Sequence, residues 1–397
     1  MQSQLTLFVE INEKNFIFVA GKYDESQNFV IANKIVTPSN GITDNKFANI
    51  EAVYEIIKIN VQLIEKKLNH VFKDVIVVLG IFECSSVNIS GFKKLNGSQV
   101  LKENISYILN SLKLTITENE KQKTILHIFN SKSTLDGTDI ENLPIGLFGN
   151  FYSHELSFLL INKNDLNNTR KVFSKNNLNI TKFISKGFVE GIQLINKFKN
   201  NSNFFRVSIG KEISKINLFE QDSFRYSETF NFGSNIILKD IQKICSLEME
   251  MIKKFLSNDN FNEMDFNENN FLEKGYFLNN NFRKIRKKLI FDIIQARISE
   301  IVGIIFHKNI NIKFLKRNSK KIYLTIDDKQ VFKNFEKNFK FYFKNDNHEV
   351  NLIDDLDTEI SIADVSNLVV YGWKKEAIPI VQPKNSLITR LFKTLFG

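Results

Sequence analysis

Residues 5–20 read LTLFVEINEKNFIFVA. Residues 5–9 and 15–20 are rich in β-branched and aromatic side chains, and Asn12 and Glu13 between them supply turn chemistry, so two short strands are predicted here. A third strand is predicted over 28–34, which completes a meander. Residues 47–70 then repeat apolar side chains at Ile50, Val53, Ile56, Ile57, Val61, Ile64 and Leu68, the spacing of an amphipathic helix. Residues 75–79 are an unbroken apolar run closed by Gly80, the pattern of a central strand covered on both faces. Meander, crossover helix and buried strand together predict an α/β sheet, an opening that many α/β folds share.

Outward from this segment the pattern repeats. A block at 82–178 has its own cycle of elements: a helix over 100–112, strands over 123–129 and 155–161, and a helix over 165–176. Pro144, Gly146 and Gly149 mark a turn between its middle strands. It reads as a small inserted α+β domain. Strands predicted over 204–209, 213–220 and 223–230 form a second meander that echoes the first and suggests two related lobes. Residues 257–284 are rich in Asn, Phe, Glu and Asp without periodicity and read as a loop. A long helix over 285–306, a strand over 322–326, a helix over 331–343 and a last segment over 368–375 follow.

Composition narrows the classes. The 397 residues are 43% hydrophobic, enough for more than one buried core. Lys and Arg number 54 against 44 Asp and Glu, a net charge of +10. The cations are scattered except at 283–288, and the chain is saturated with Lys, Asn, Ile and Phe, residues with AT-rich codons. The charge is therefore not read as a nucleic-acid footprint. Two cysteines, Cys84 and Cys245, stand far apart without a CxxC motif, which excludes a disulfide framework and fits a reducing compartment. The five histidines show neither an i, i+4 pair nor HExxH, so no metal site is predicted. The first four residues are uncharged and lead into strand-like sequence, so no secretory signal is expected, and no apolar run reaches the length of a transmembrane helix.

Residues 386–397 read SLITRLFKTLFG. Leu387, Ile388, Leu391, Phe392, Leu395 and Phe396 recur as adjacent pairs four residues apart, and at about 100° per residue all six share one stripe. Arg390 and Lys393 take the other side. At about 1.5 Å per residue the helix covers half a bilayer, so it lies in an interface instead of crossing it. Pro379 and Pro383 separate it from the body. Burial of a large apolar side chain is worth roughly 1.5–3 kcal/mol, and each cation adds about 1 kcal/mol against anionic lipid. Ordering the segment offsets much of that gain. One copy binds reversibly, and a self-associating chain binds better because later anchors engage at high effective concentration. Packing of this helix onto the protein's own core is the alternative.

The order of segments resembles the FtsA family of actin-like bacterial cell-division proteins, which carry an inserted domain in the first lobe and end in an amphipathic membrane helix. ILHIFN (125–130) followed by NLPIGLFG (142–149) is similar to that family's LHVIP and NPxGLSG pair. Residues 159–192 are similar to the stretch that closes the insert, FNFGSNIILKDI (230–241) to its GGNxxTxDI segment, and IIQARISEIV (293–302) to its helix with an Arg followed by an acidic residue. The resemblance implies an α/β, actin-like (ribonuclease H-like) two-lobe fold with an inserted small α+β domain and a C-terminal amphipathic helix. The implied divisions are 1–81 for the first lobe, 82–178 for the insert, and 179–200 with 365–376 for the return to the first lobe. The second lobe takes 201–236 and 309–364 for its inner part and 237–308 for an outer, partner-binding part. A linker over 377–385 leads to the membrane helix at 386–397.

Departures from the family pattern concern the nucleotide. An actin-like cleft needs glycine loops whose backbone N–H groups cradle phosphate, and acids to manage Mg²⁺. The first loop keeps Glu10 and Ile11 but has Asn12 in place of the family's Gly. The second, VSIGKEISKI (207–216), has Ser208 for the acid, retains Gly210, and puts Lys215 where a second Asp belongs. The adenosine loop reads LTIDDK (324–329), where Asp327 and Asp328 bring bulk to a site of close backbone approach. Glu10, Asn12, Gly210, Gly233 and Asp327 therefore mark a degenerate ATP cleft. ATP and Mg²⁺ are expected only if that cleft still binds, and no catalytic residue is assigned.

The resemblance also implies partners: the C-terminal peptide of the tubulin-like FtsZ, anionic lipid, other divisome proteins and further copies of the chain, with no nucleic acid. Two family positions that favour Arg fall on Arg283 and Arg297, fourteen residues apart. On a continuous helix that is close to four turns, so both would face one groove suited to an acidic, partly apolar peptide. A non-catalytic tether at the cytoplasmic face of the inner membrane, at the division site, is the expectation. An active actin-like ATPase and a PilM-like adaptor of a pilus or secretion assembly are the alternatives.

Overall fold

The apolar runs that flank residue 12 become the middle of a five-stranded sheet. The computed structural model describes residues 5–26, 28–43, 45–198, 202–257, 270–277, 282–315, 321–344, 348–354, 365–369 and 372–379. The chain divides into two compact units, one of Met1–Asn200, Gln221–Ser227 and Leu356–Gly397, the other of Asn201–Glu220 and Glu228–Asp355.

The first unit begins with β1 (Thr6–Ile11), β2 (Asn15–Tyr23) and β3 (Phe29–Pro38), an antiparallel meander. The short pair β4 (Ile42–Thr43) and β5 (Lys46–Phe47) leads to α1 (Ile50–Leu68), which crosses to β6 (Asp74–Leu79), parallel to β1. Leu7, Phe8, Val9 and Ile11 are fully buried, which is why these strands read as continuous apolar runs. The Asn49 side chain accepts the Ala52 N–H to cap α1, and Val53, Ile57, Val61 and Ile64 form its buried stripe.

The chain then leaves this sheet and builds another. β7 (Cys84–Lys94), α2 (Lys102–Asn119), β8 (Lys123–Leu135), β9 (Thr138–Ile140) and β10 (Phe151–Asn162) follow, with β10 between β7 and β8. Ile108, Leu112 and Ile116 of α2 share a core with Tyr152, Leu156, Phe158 and Leu160 of β10. α3 (Lys163–Lys175), expected inside the insert, packs instead on α1 and returns the chain to the first sheet through β11 (Asn179–Ser185), parallel to β6. α4 (Lys186–Lys197) follows. The first sheet has the order β11-β6-β1-β2-β3.

The second unit repeats that order. β12 (Phe204–Ile209) and β13 (Ser214–Glu220) open it, β14 (Ser223–Phe230) runs from the Gln221–Ser227 stretch back into it, and α5 (Asn235–Cys245), α6 (Met249–Leu256), α7 (Lys287–Val302) and α8 (Ile310–Leu315) form its helical part. β15 (Lys321–Ile326), α9 (Lys329–Phe332), α10 (Glu336–Phe343) and β16 (Glu349–Leu352) complete it. The sheet runs β14-β13-β12-β15-β16, with β15 parallel to β12 and β16 parallel to β15. Meander followed by parallel strands is the same topology twice in one chain.

Several expectations shift. The loop expected over 257–284 contains ordered backbone at 270–277, where Leu272 is buried and Phe271 bridges Arg286. The long helix begins at Lys287, not Ile285, and widens into a π-type turn over Gly303–His307. The helix expected over 331–343 is broken between α9 and α10. β17 (Glu376–Pro379) falls where the linker was expected to begin and pairs antiparallel with β8. The terminal helix at 386–397, with all eight of its membrane residues, lies outside the described residues. No helix among the described residues is long and apolar enough to cross a membrane.

His154 sits on β10 at 1% exposure, and among the described residues neither ring nitrogen has a hydrogen-bond partner. Burial pushes its imidazole down to about 4. Unfolded, the ring takes a proton near pH 6.5 that the folded chain refuses, so stability falls as pH drops from about 6.5 towards 4. By pH 4.5 this one group should remove roughly 2.5 kcal/mol. His154→Leu should flatten the pH dependence of the urea midpoint between pH 7 and 4.5 by that amount; an unchanged slope would exclude the assignment.

Candidate functional site

The two sheets end their central strands in the same way. In the first, the Asn12 N–H closes the β1–β2 turn on Asn15 O at 3.0 Å, and the Gly80 N–H after β6 donates to Ile11 O at 2.9 Å. In the second, the Gly210 N–H closes the β12–β13 turn on Ile213 O at 2.8 Å, and the Asp327 N–H after β15 donates to Ile209 O at 2.8 Å. Asn12 and Gly210 are thus equivalent, as are Gly80 and Asp327. Of the five cleft residues, Glu10 and Asn12 belong to the first unit, and Gly210, Gly233 and Asp327 to the second.

In the first unit the loop chemistry is satisfied internally. Glu10 is 3% exposed and accepts from Lys186 Nζ at 2.7 Å and from Asn12 Nδ2 at 2.5 Å. Lys186 also donates to Asn12 Oδ1 at 3.2 Å. Lys186 can reach because it is the first residue of α4, directly after β11. A Cβ at Gly80 would come within 2.1 Å of Asn12 Oδ1, so the glycine is what lets the Asn12 side chain lie over the strand end.

In the second unit the start of α5 folds onto the loop. The Ser234 and Asn235 N–H groups donate to Gly210 O and Lys211 O at 2.8 and 2.9 Å, and a Cβ at Gly233 would meet Gly210 O at 2.2 Å. Helix N-terminal donors that would serve a phosphate are spent on loop carbonyls. Glu212 accepts from Asn235 Nδ2 at 2.7 Å and from Lys239, and these bonds hold its carboxyl below the usual value. Lys211 Nζ lies 3.7 Å from Asp328 Oδ2, and Asp328 adopts φ 61°.

These residues do not fit a magnesium nucleotide of the usual actin-like kind. The acid retained in the first loop is neutralised by an ammonium 2.7 Å away, a side chain covers that loop, and the N–H groups of Ser234 and Asn235 at the start of α5 are bonded to carbonyls of the second loop. Among the described residues no group of His, Cys, Asp and Glu is placed to hold a metal ion.

A second feature lies between α5 and α7. Arg283, Lys284, Arg286 and Lys288 surround a groove of about 530 Å³ whose apolar wall is Ile244, Ile285 and Leu289, with Asp292 as its one acidic lining residue. Arg283 precedes α7 and is not on it, so the helical-spacing argument that paired it with Arg297 fails. Arg297 is not among the lining residues. Its Nε donates to Asp240 Oδ2 at 2.5 Å and its Nη1 to Glu300 Oε2 at 2.7 Å, which ties α7 to α5. Arg297 fixes the helices that flank the groove, and Arg283 lines it.

Sequence reasoning missed a third cluster, in the first unit. His127 Nδ1 lies 2.8 Å from Glu376 Oε1, with both side chains almost fully buried. Its Nε2 accepts the Ser185 N–H at 3.2 Å, which assigns the ring proton to Nδ1. Burial alone pushes the Glu376 carboxyl up, but its interactions with His127 and the Lys182 charge outweigh this and hold it below the usual value. The nearby Ser131 and Ser157 hydroxyls share a bond of 2.5 Å, and Arg225 pairs with Glu155 at 2.5 Å. Nothing local in the sequence signals these pairs.

No protein-family profile matches the chain. The cell division protein FtsA of Buchnera aphidicola subsp. Acyrthosiphon pisum is 20% identical over 313 residues, covering 76% of this chain and 72% of the relative. Among solved structures, the PilM–PilN type IV pilus biogenesis complex contains a chain that aligns over 93% of this one and 97% of its own, with 11% identity and a TM-score of 0.53. That likeness concerns the fold, and it agrees with the doubled sheet topology. The chain therefore has an actin-like fold and is similar in sequence to a cell division protein FtsA.

Proposed function

We propose that this chain is a non-catalytic adaptor of bacterial cell division, which holds FtsZ filaments to the cytoplasmic membrane and self-associates. The observation that carries the proposal is the groove between α5 and α7. Four cations around an apolar wall suit a peptide that is acidic and partly apolar, since charge-assisted bonds give orientation and apolar contact gives residence. Arg283 is the contact residue and Arg297 a positioning residue, a division of labour drawn from their different partners. The amphipathic sequence at 386–397, with Arg390 and Lys393 beside six large apolar side chains, supplies the lipid end. A PilM-like adaptor would share the fold; the tail sequence favours the membrane reading.

Nucleotide hydrolysis is not part of this reading. A ligand bound only by the folded chain raises its melting temperature, so excess Mg²⁺ and ATP should leave the transition within about 1 °C of its position without them. An upward shift of several degrees would refute the claim that the loops have lost the nucleotide. For the groove, Arg283→Glu should weaken an FtsZ C-terminal peptide about tenfold, roughly 1.4 kcal/mol, with melting unchanged. An unaltered dissociation constant would remove Arg283 from the site.

A further inference from the structure

The sheet of β7, β8 and β10 ends in a strand taken from far along the chain. β17 lies against β8 with Glu376 opposite Phe129 and Pro379 opposite His127, and the Asn130 N–H donates to Lys375 O at 2.7 Å. The strand is four residues long and irregular between Glu376 and Ile378, and Pro379 contributes no N–H. So short a ladder is weak. The specific anchor is a single buried carboxylate, Glu376, with His127 as its hydrogen-bond donor and Lys182 as the nearby charge. Just upstream, the Trp373 indole N–H donates to Asp222 O at 2.8 Å, and Lys374 pairs with the Asp222 carboxylate.

The segment also has a joint. The Gly372 N–H donates to Leu368 O at 2.9 Å, ending the helix at 365–369, with φ +72° and no atom near the place a Cβ would occupy. That left-handed conformation is one that glycine adopts without steric cost. Without β17, residues 127–129 of β8 would be an unpaired edge beside β9, which pairs with Ser133–Leu135, and that edge carries an imidazole donating from Nδ1 to a strand of matching chemistry.

We propose that the β8 edge is a binding site for an extended segment that buries one carboxylate, filled in cis by residues 372–379, and that its occupant in trans is the same segment of a second copy. The fit is shown by the cis pairing itself, and exchange of an identical element is a low-cost route to association. Glu376 of one chain would then complete the site of another. This deepens the self-association in the reading above and depends on neither lipid nor FtsZ.

Complementation tests it. A full-length Glu376→Gln chain has a competent edge and a defective strand; a full-length His127→Leu chain has the reverse. In analytical ultracentrifugation the mixture should form a one-to-one complex at least tenfold tighter than either chain forms with itself, while hydrogen exchange in β1, β2 and β6 stays unchanged. No gain on mixing overturns the proposal. A second arm keeps the wild-type fold: a labelled GWKKEAIP peptide should bind the intact chain at least tenfold tighter than the same peptide with Gln at the Glu376 position. Equal binding of the two peptides, or none, overturns it as well. Vesicle binding can fail without altering either result.

Discussion

A carboxylate taken out of water must find a cation or keep its proton, and the pairings this chain makes decide what its loops can do. Glu10 finds Lys186, Glu155 finds Arg225, Asp240 finds Arg297, and Glu376 finds His127 and the Lys182 charge. The first matters most. An actin-like first loop keeps an acid so that a metal-bound nucleotide can use it; here an ammonium on the same unit already does. In this chain the acid of that loop sits in an internal ion pair with Lys186.

The rest follows from the same economy of charge. Two sheets of identical order give two equivalent turns, at Asn12 and Gly210, and neither is left as a bare backbone cradle. Among the described residues, the second unit gathers Arg283, Lys284, Arg286 and Lys288 beside an apolar wall, where Arg297 ties α7 to α5. The proposed adaptor rests on both features.

The parts that could be read from sequence were those in which neighbouring residues determine the outcome. The apolar runs of β1, β2 and β6 and the stripe Val53, Ile57, Val61, Ile64 announce themselves because burial on both faces of a strand, or on one face of a helix, sets local periodicity. Asn12, Ser208 and Lys215 stood out only by comparison with the FtsA family pattern, not by periodicity. Lys186 and Glu10 are 176 positions apart, and His127 and Glu376 are 249 apart, so no window on the sequence joins them. β17 escaped because four residues ending in proline have no alternation to recognise. The pairing of Arg283 with Arg297 failed on a boundary: α7 starts at Lys287, which removes Arg283 from the helical count.

A tether must engage lipid and peptide on one chain at the same time. Co-sedimentation of a labelled FtsZ C-terminal peptide with anionic vesicles measures that directly. The full chain should carry the peptide into the pellet, while a chain ending at Lys384 should bind the peptide in solution and leave it in the supernatant. Equal pelleting by the two chains, or none by either, would contradict the tether.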